Sequence, residues 1–258
     1  MLVVKYGGHA LPDQSEMDPV LEAIGDAFVD GDLVVLIHGG GPQIDAALKE
    51  KGLGKERIAG YRITTPDVFR VVQSVLCGQV QRNIVNYLIG SEVNAVGLTA
   101  GDGGLVLAKK LFVSDAGRQT DIGLVGEVSK VNVEILEQLL KLDCLPVITP
   151  LAVDSDGVGL NINADLVAGA IGGALKADQV VFLTDVDGIY ADWPNTDSLI
   201  NQINIADLSQ LLPTLAEGMI PKVTAVLNAV KSGAKSARIA NGTKLKSVLD
   251  AFSGEDEE

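Results

Sequence analysis

Several features common in enzymes are scarce here. In 258 residues there are two cysteines, two histidines and one tryptophan, and aromatic residues make up only 4%. Two thiols, Cys77 and Cys144, cannot build a disulfide framework or a zinc spacing, and they read as small core hydrophobes. Two histidines, His9 and His38, exclude a histidine-rich metal site. No apolar run approaches the roughly 18 residues of a membrane span, and the start lacks the basic-then-apolar pattern of a signal peptide. The sequence therefore reads as soluble and cytoplasmic, with no membrane partner.

Positive charge is scarce as well. Twenty Lys and Arg stand against 34 Asp and Glu, a formal net charge of −14. That balance excludes nucleic acid as the main partner. It also makes any lysine beside a glycine turn conspicuous, because an acidic protein that handles phosphate must concentrate its cations locally. Neither the dinucleotide fingerprint G-x-G-x-x-G nor the Walker pattern G-x-x-x-x-G-K-[ST] occurs.

What the chain has in quantity is glycine, 29 residues, and apolar residues, 47%. Apolar runs of strand length recur: LVVKY at 2, LVVLI at 33, VNAVGL at 93, CLPVITP at 144, QVVFLTD at 179 and SARIA at 236. Amphipathic stretches such as VLEAIGDAF, QIDAALKEKG, VEILEQLLKLD, LVAGAIGGAL and VTAVLNAVKSGA lie between several of them. This alternation predicts an α/β fold, a three-layer αβα arrangement around a mostly parallel open sheet. The glycine-punctuated segment from about 102 to 130 predicts β-hairpins projecting from that sheet. A division into an N-terminal lobe, 1–170, and a C-terminal lobe, 171–258, sharing one continuous sheet, is the expected organisation. The closing GEDEE reads as a frayed, solvated tail.

Two strand ends run into glycine turns, KYGG at 5–8 and HGGGPQID at 38–45. Such turns can serve chain reversal alone. Two of them, one beside Lys5, fit an anion cradle better: Gly7, Gly8, Gly39, Gly40 and Gly41 can take positive φ and let backbone N–H groups converge. The second turn also opens a helix, whose N-terminus attracts anions. Pro221 suits the first turn of another helix and puts Lys222 at its positive end, where acidic residues are usual. An external anion at that end would explain the lysine. In LNINADLV, Asn163 or Asp165 can cap a helix. The functional alternative has Asp165 between the two lysines, offsetting a repulsion of roughly 4 kcal/mol at 4 Å. DSDG at 154 is a turn, and DVDG at 185 places Asp185 at a carboxyl end of the sheet, where open α/β folds bind ligands.

Taken in order, VKYGG, HGGGPQI, GYRITTPD, NAVGLTAGDGG, DIGLVGEV, LNINAD, FLTDVDGIY and GMIPKV resemble the amino-acid kinase family, and within it the acetylglutamate-phosphorylating branch. The resemblance runs from about residue 2 to about residue 242. It implies ATP-dependent phosphorylation of the side-chain carboxylate of N-acetyl-L-glutamate, giving N-acetyl-L-glutamyl 5-phosphate for arginine biosynthesis. It implies that Lys5 and Lys222 stabilise the transferring phosphoryl group and that Asp165 organises them. Gly8, Gly40 and Gly41 match backbone donors around the γ-phosphate and the acceptor carboxylate, Gly40 and Gly41 on the substrate side and Gly8, with Gly7, on the nucleotide side. Arg62 and Asn161 match residues that hold the amino-acid part of the acceptor. Asp185, Gly188, Tyr190 and Met219 match the nucleotide side. Mg²⁺ is implied as the companion of ATP, held mainly by the phosphates, with no protein ligand named. A carboxylate acceptor is already nucleophilic at neutral pH, so no histidine base is required.

Departures from the family pattern matter too. Arginine-inhibited members carry a helix before the first strand, and the ending ANGTKLKSVLDAFSGEDEE differs from the one associated with the arginine site. An arginine-insensitive homodimer is therefore expected. The resemblance also admits a nitrogen-signalling protein as partner. Two alternatives remain open at this point: a kinase of carrier-linked aminoadipate or glutamate in lysine biosynthesis, and a non-catalytic nucleotide or amino-acid sensor.

Overall fold

A computed structural model describes residues 1–7, 18–54, 56–115, 117–215 and 219–253. The opening run forms β1 (Leu2–Tyr6), buried along its whole length as an interior strand of a parallel sheet is. On one side it pairs with β2 (Val34–His38), followed outward by β8 (Leu145–Thr149) and β5 (Ala95–Thr99). On the other side lie β11 (Gln179–Thr184) and β14 (Ser236–Asn241). All these pairings are parallel, giving the order β14-β11-β1-β2-β8-β5. Helices α1 (Pro19–Val29), α4 (Gln81–Gly90) and α9 (Leu245–Ser253) cover the sheet as one group, and α6 (Ala164–Ala174) and α8 (Ile220–Lys231) as another. The expected layered α/β architecture is what the chain adopts.

The outer elements contain three departures from the sequence reading. The segment expected as projecting hairpins does form one, β6 (Val106–Asp115) with β7 (Arg118–Val131), but β9 (Leu151–Val153) and β10 (Gly159–Asn161) close it into a small barrel. A long helix absent from the sequence reading spans α3 (Pro66–Val75) and α4, joined by a π-turn at Leu76–Val80. Its start signal is nevertheless present: the Thr65 hydroxyl accepts from Val68 N, with Pro66 and Asp67 in the first turn. Finally, Cys77 and Cys144 are half-buried and free, where the sequence reading put both in the core.

The hairpin β3 (Arg57–Ile58) and β4 (Tyr61–Arg62) packs Ile58, Tyr61 and Ile63 on a small second core of Val113, Ile122 and Val125. Thr64 N donates to Ile122 O, and Leu124 N to Thr64 O. Gly123 is required there, since a Cβ would sit 2.2 Å from Thr64 O. This junction fixes the segment carrying Arg62 against β7. Helix α2 (Gly41–Glu50) lies beside α3, α5 (Glu134–Lys141) beside β8, and α7 (Ile205–Leu211) against α8; β12 (Ile189–Tyr190) and β13 (Leu199–Ile200) form a short hairpin after β11. Among the described residues no helix is long and apolar enough to cross a membrane.

Candidate active site

The sheet order puts β1 at the topological switch point: the chain leaves it toward β2 on one side and pairs with the later β11 on the other. Ligands of open α/β sheets bind outside the carboxyl ends of the strands at such a point. Lys5 lies near that end of β1, in register with Ile37 on β2 and Phe182 on β11. The two glycine turns meet there. Gly39 N donates to Tyr6 O at 2.7 Å, and a Cβ on Gly7 would fall 2.6 Å from Gly39 N. Gly7 is thus required by close backbone approach, and not by the positive φ expected of it, which it does not adopt. Gly41, in contrast, opens onto empty space where a Cβ would go.

A cavity of about 200 Å³ lies beside these turns, lined by Lys5, Gly39 to Gly41, Arg57, Arg62, Asn161 and Asp165 among others. Asp165 is its electrostatic centre. Lys5 Nζ lies 3.0 Å from Oδ1 and Lys222 Nζ 3.4 Å from Oδ2, with side-chain exposures of 7%, 22% and 8% for Lys5, Lys222 and Asp165. Burial pushes the Asp165 carboxyl up, but Lys5 and then Lys222 more than reverse this, so it is held below the usual carboxylate range. The capping alternative resolves in favour of its neighbour. Asn163 caps α6, its Oδ1 accepting from Asp165 N at 2.8 Å, which leaves the Asp165 carboxylate to the lysines.

The pairing of Asp165 with Lys222 is a consequence of how α6 crosses α8. A Cβ at Gly169 would lie 2.6 Å from Ala225 O, and one at Gly173 would lie 2.9 Å from Ala229 O. Successive turns of the two helices therefore run in near contact, and the same alignment brings residue 165 to residue 222. Small residues permit that approach. Lys222 stands in the first turn of α8, which holds no acidic residue.

Arg62 is buried, and its Nη1 lies 2.6 Å from Asp45 Oδ1 on α2. Arg57 Nη2 approaches the other Asp45 oxygen at 3.6 Å. Asn161 Nδ2 donates to Thr64 Oγ1 at 3.4 Å. Among the described residues, the buried side-chain atoms lacking a hydrogen-bond partner are Gln43 Oε1, Asp45 Oδ1, Arg62 Nη1 and Asp165 Oδ1. Three of these four belong to close ion pairs whose alignment is not that of a hydrogen bond. All four belong to residues of the cavity wall or of α2, which borders it. Three of the four thus have a charged partner, and together they form a wall of buried ion pairs beside the cavity.

Of the residues singled out from sequence, Lys5, Gly40, Gly41, Arg62, Asn161 and Asp165 come together at the cavity, with Lys222 joined through Asp165 and Gly7 through Gly39. Gly8, like His9, lies outside the described residues. Asp185, Gly188, Tyr190 and Met219 do not line the cavity; they lie after β11 and at the start of α8, on the other side of β1. There Asn241 Nδ2 and Lys244 Nζ both reach Asp187 Oδ1, at 2.8 and 2.7 Å. Asp45 and Arg57 were not anticipated. Both sit in ordinary polar positions of a surface helix and a short hairpin, and nothing in their spacing distinguishes them.

A family model described as the amino acid kinase family matches residues 1–241. The chain is 43% identical over 256 residues to a protein of Rhodococcus jostii named acetylglutamate kinase, covering 99% of this chain and 83% of that one. In structure it is similar to an N-acetylglutamate synthase of Neisseria gonorrhoeae solved with coenzyme A and N-acetyl-glutamate. The TM-score is 0.81 at 22% identity, over 97% of this chain and 56% of that chain. A carbamate kinase of Giardia lamblia bound to AMP-PNP superposes with a TM-score of 0.67 at 17% identity, over 99% and 96% of the two chains. These structural likenesses establish the fold, and the sequence matches establish the kinship. The chain belongs to the amino acid kinase family, beside its acetylglutamate kinases.

Proposed function

We propose that this protein transfers the γ-phosphoryl group of ATP to the side-chain carboxylate of N-acetyl-L-glutamate, as a step of arginine biosynthesis. The observation that carries the reading is the buried Lys5–Asp165–Lys222 arrangement beside a cavity lined by two arginines and a glycine turn. The kinship to acetylglutamate kinases supports it. Charge complementarity does as well: Lys5, Lys222, Arg57 and Arg62 oppose Asp45 and Asp165, leaving a surplus of two positive charges in a protein of net charge −14. An acylated glutamate carries two carboxylates.

In this mechanism Arg62 and Asn161 hold the amino-acid end, with the planar guanidinium matched to a carboxylate. The other carboxylate faces Lys5 and the glycine turn. One of its oxygens attacks the γ-phosphorus while the bond to the β-phosphate oxygen breaks and ADP leaves. No proton has to be removed from the nucleophile. The protein's work is to align the two anions and to stabilise the charge on the transferring group, which is the task of the two lysines and the backbone donors Gly8, Gly40 and Gly41. Asp165 keeps the lysines converged when no phosphate is present.

The nucleotide is assigned to the far side of β1, toward Gly7, Asp185, Gly188, Tyr190 and Met219. Magnesium bound with the nucleotide would supply charge neutralisation to the phosphates. Among the described residues no group of three or more His, Cys, Asp or Glu side chains is placed to hold a metal. We further assign a cytoplasmic homodimer, with 1–170 as the acceptor-binding lobe and dimer contact and 171–258 as the nucleotide-binding lobe.

The test is ADP release with Mg·ATP across N-acetylglutamate, N-acetylaspartate, glutamate, aspartate and N-acetyl-aminoadipate. Selective turnover of N-acetylglutamate is expected. No turnover with any of them, in protein that binds ATP, would overturn the reading in favour of a carrier-linked acceptor or a sensor.

A further inference from the structure

His38 ends β2 immediately before the glycine turn, is fully buried, and has no part in the mechanism above. Both ring nitrogens are engaged. Nδ1 lies 2.8 Å from the carbonyl oxygen of Gly39, and Nε2 lies 2.7 Å from the hydroxyl of Thr149 at the end of β8. A carbonyl only accepts, so Nδ1 carries the proton and donates. Nε2 is then an acceptor, and the Thr149 hydroxyl must donate to it. Thr149 is fully buried too. A buried chain, Thr149 to His38, therefore ends on one backbone carbonyl of the turn.

That carbonyl matters because of peptide geometry. In a trans peptide the C=O and the following N–H point in opposite directions. With the Gly39 carbonyl drawn onto the imidazole, the N–H of Gly40 is turned away from the ring. Gly39, Gly40 and Gly41 all line the cavity, and among the described residues Gly40 N makes no hydrogen bond. The preceding amide is pinned independently, since Gly39 N donates to Tyr6 O.

We propose that His38, held as its neutral Nδ1–H tautomer by Thr149, is a positioning residue that fixes the Gly39–Gly40 peptide so that the Gly40 N–H faces the reacting anion. The proposal deepens the acetylglutamate-kinase reading and rests on it for its kinetic readout. A preset donor costs no reorganisation when charge develops on the transferring group, which is why its orientation acts on turnover.

Asparagine and glutamine substitutions discriminate this role from simple core filling. In His38→Asn the new amide nitrogen falls where Nδ1 lies and can still donate to Gly39; in His38→Gln the longer amide reaches toward Thr149 instead. His38→Asn is expected to keep kcat within about threefold of the parent, whereas His38→Gln loses about 10- to 100-fold in kcat with KM for ATP little changed. Equal kcat in the two folded variants would overturn the proposal. Should both fail to fold, Thr149→Ser and Thr149→Val serve in their place: serine should keep kcat and valine lower it, and equal values would count against the role. Ring-nitrogen NMR of histidine-labelled protein gives a readout independent of substrate, and His9 is the only other histidine to assign. A proton on Nδ1 of His38 is expected; one on Nε2 would overturn the proposal. If the parent does not phosphorylate acetylglutamate, the functional reading fails while the tautomer result still stands or falls separately.

Discussion

Replacing Asp165 by Asn removes the negative charge between two ammonium groups, Lys5 buried and Lys222 half-buried, while keeping the side chain's size. At 3.0 and 3.4 Å and an effective dielectric near 20, each lysine is attracted to the carboxylate by roughly 5 kcal/mol before desolvation is counted. Much of that offsets the cost of burying three charges. Breaking such a group by removing one partner typically costs about 3–5 kcal/mol. Because Lys222 retains 22% exposure and can turn toward solvent, the lower end applies here. For a chain of this size, about 3 kcal/mol lowers Tm by roughly 6–12 °C. Calorimetry or fluorescence melting of the ligand-free protein reads this directly. The same variant should be stabilised more than the parent by Mg·ATP, because its two lysines then lack a resident counter-charge. A Tm within about 2 °C of the parent would refute the reasoning, since Asp165 would then not be what holds the lysines together.

Lys5→Ala and Lys222→Ala should each lower kcat by about 10²–10⁴-fold with folding intact, as measured by coupled ADP release; near-normal turnover in both would sink the catalytic assignment. Arg62→Lys keeps the charge but loses the planar fork, so KM for acetylglutamate should rise about 10- to 100-fold with a smaller change in kcat. Gly7→Ala forces a Cβ to within 2.6 Å of Gly39 N, and backbone cannot yield as a side chain would; a loss of about 1–3 kcal/mol in urea unfolding is expected, together with reduced activity. Burial lowers His38 from 6.5 to about 4, so between those values the unfolded chain binds a proton that the folded protein refuses. Stability contributed by neutral His38 is complete above about pH 6.5 and falls by about 3 kcal/mol as pH drops toward 4. His38→Asn should flatten that part of the stability profile, and an unchanged slope would refute it.

Sequence is sufficient where its signal is local and periodic. LVVKY, LVVLI and QVVFLTD could only be strands buried on both faces, and α2, α5, α6 and α8 were legible in their helical period. The long helix over 66–90 escaped notice because its apolar positions follow a β-branched ITT run and pass through a π-turn, which breaks the 3.6-residue period. The barrel was only half visible. Its β6–β7 hairpin lies in one alternating stretch, whereas closure depends on three-residue strands beyond the next helix.

The site divides along the same line. Chain chemistry by itself marked Lys5 beside a glycine turn and Lys222 at the wrong end of a helix for a cation, while Asp165 stayed one of two cap candidates until the structure gave the cap to Asn163. No local rule marks Asp45, which meets Arg62 only because the β3–β4 hairpin folds over α2, or Thr149, which meets His38 only because β8 pairs with β2. Nor does any rule place Lys222 on Asp165; that contact exists because glycines 169 and 173 let α6 approach α8 closely. Sequence alone determined which residues are out of place as structure, since propensity acts over a few neighbours. Tertiary packing decided which of them meet, since an ion pair across 57 positions is fixed by the geometry of the elements that carry it.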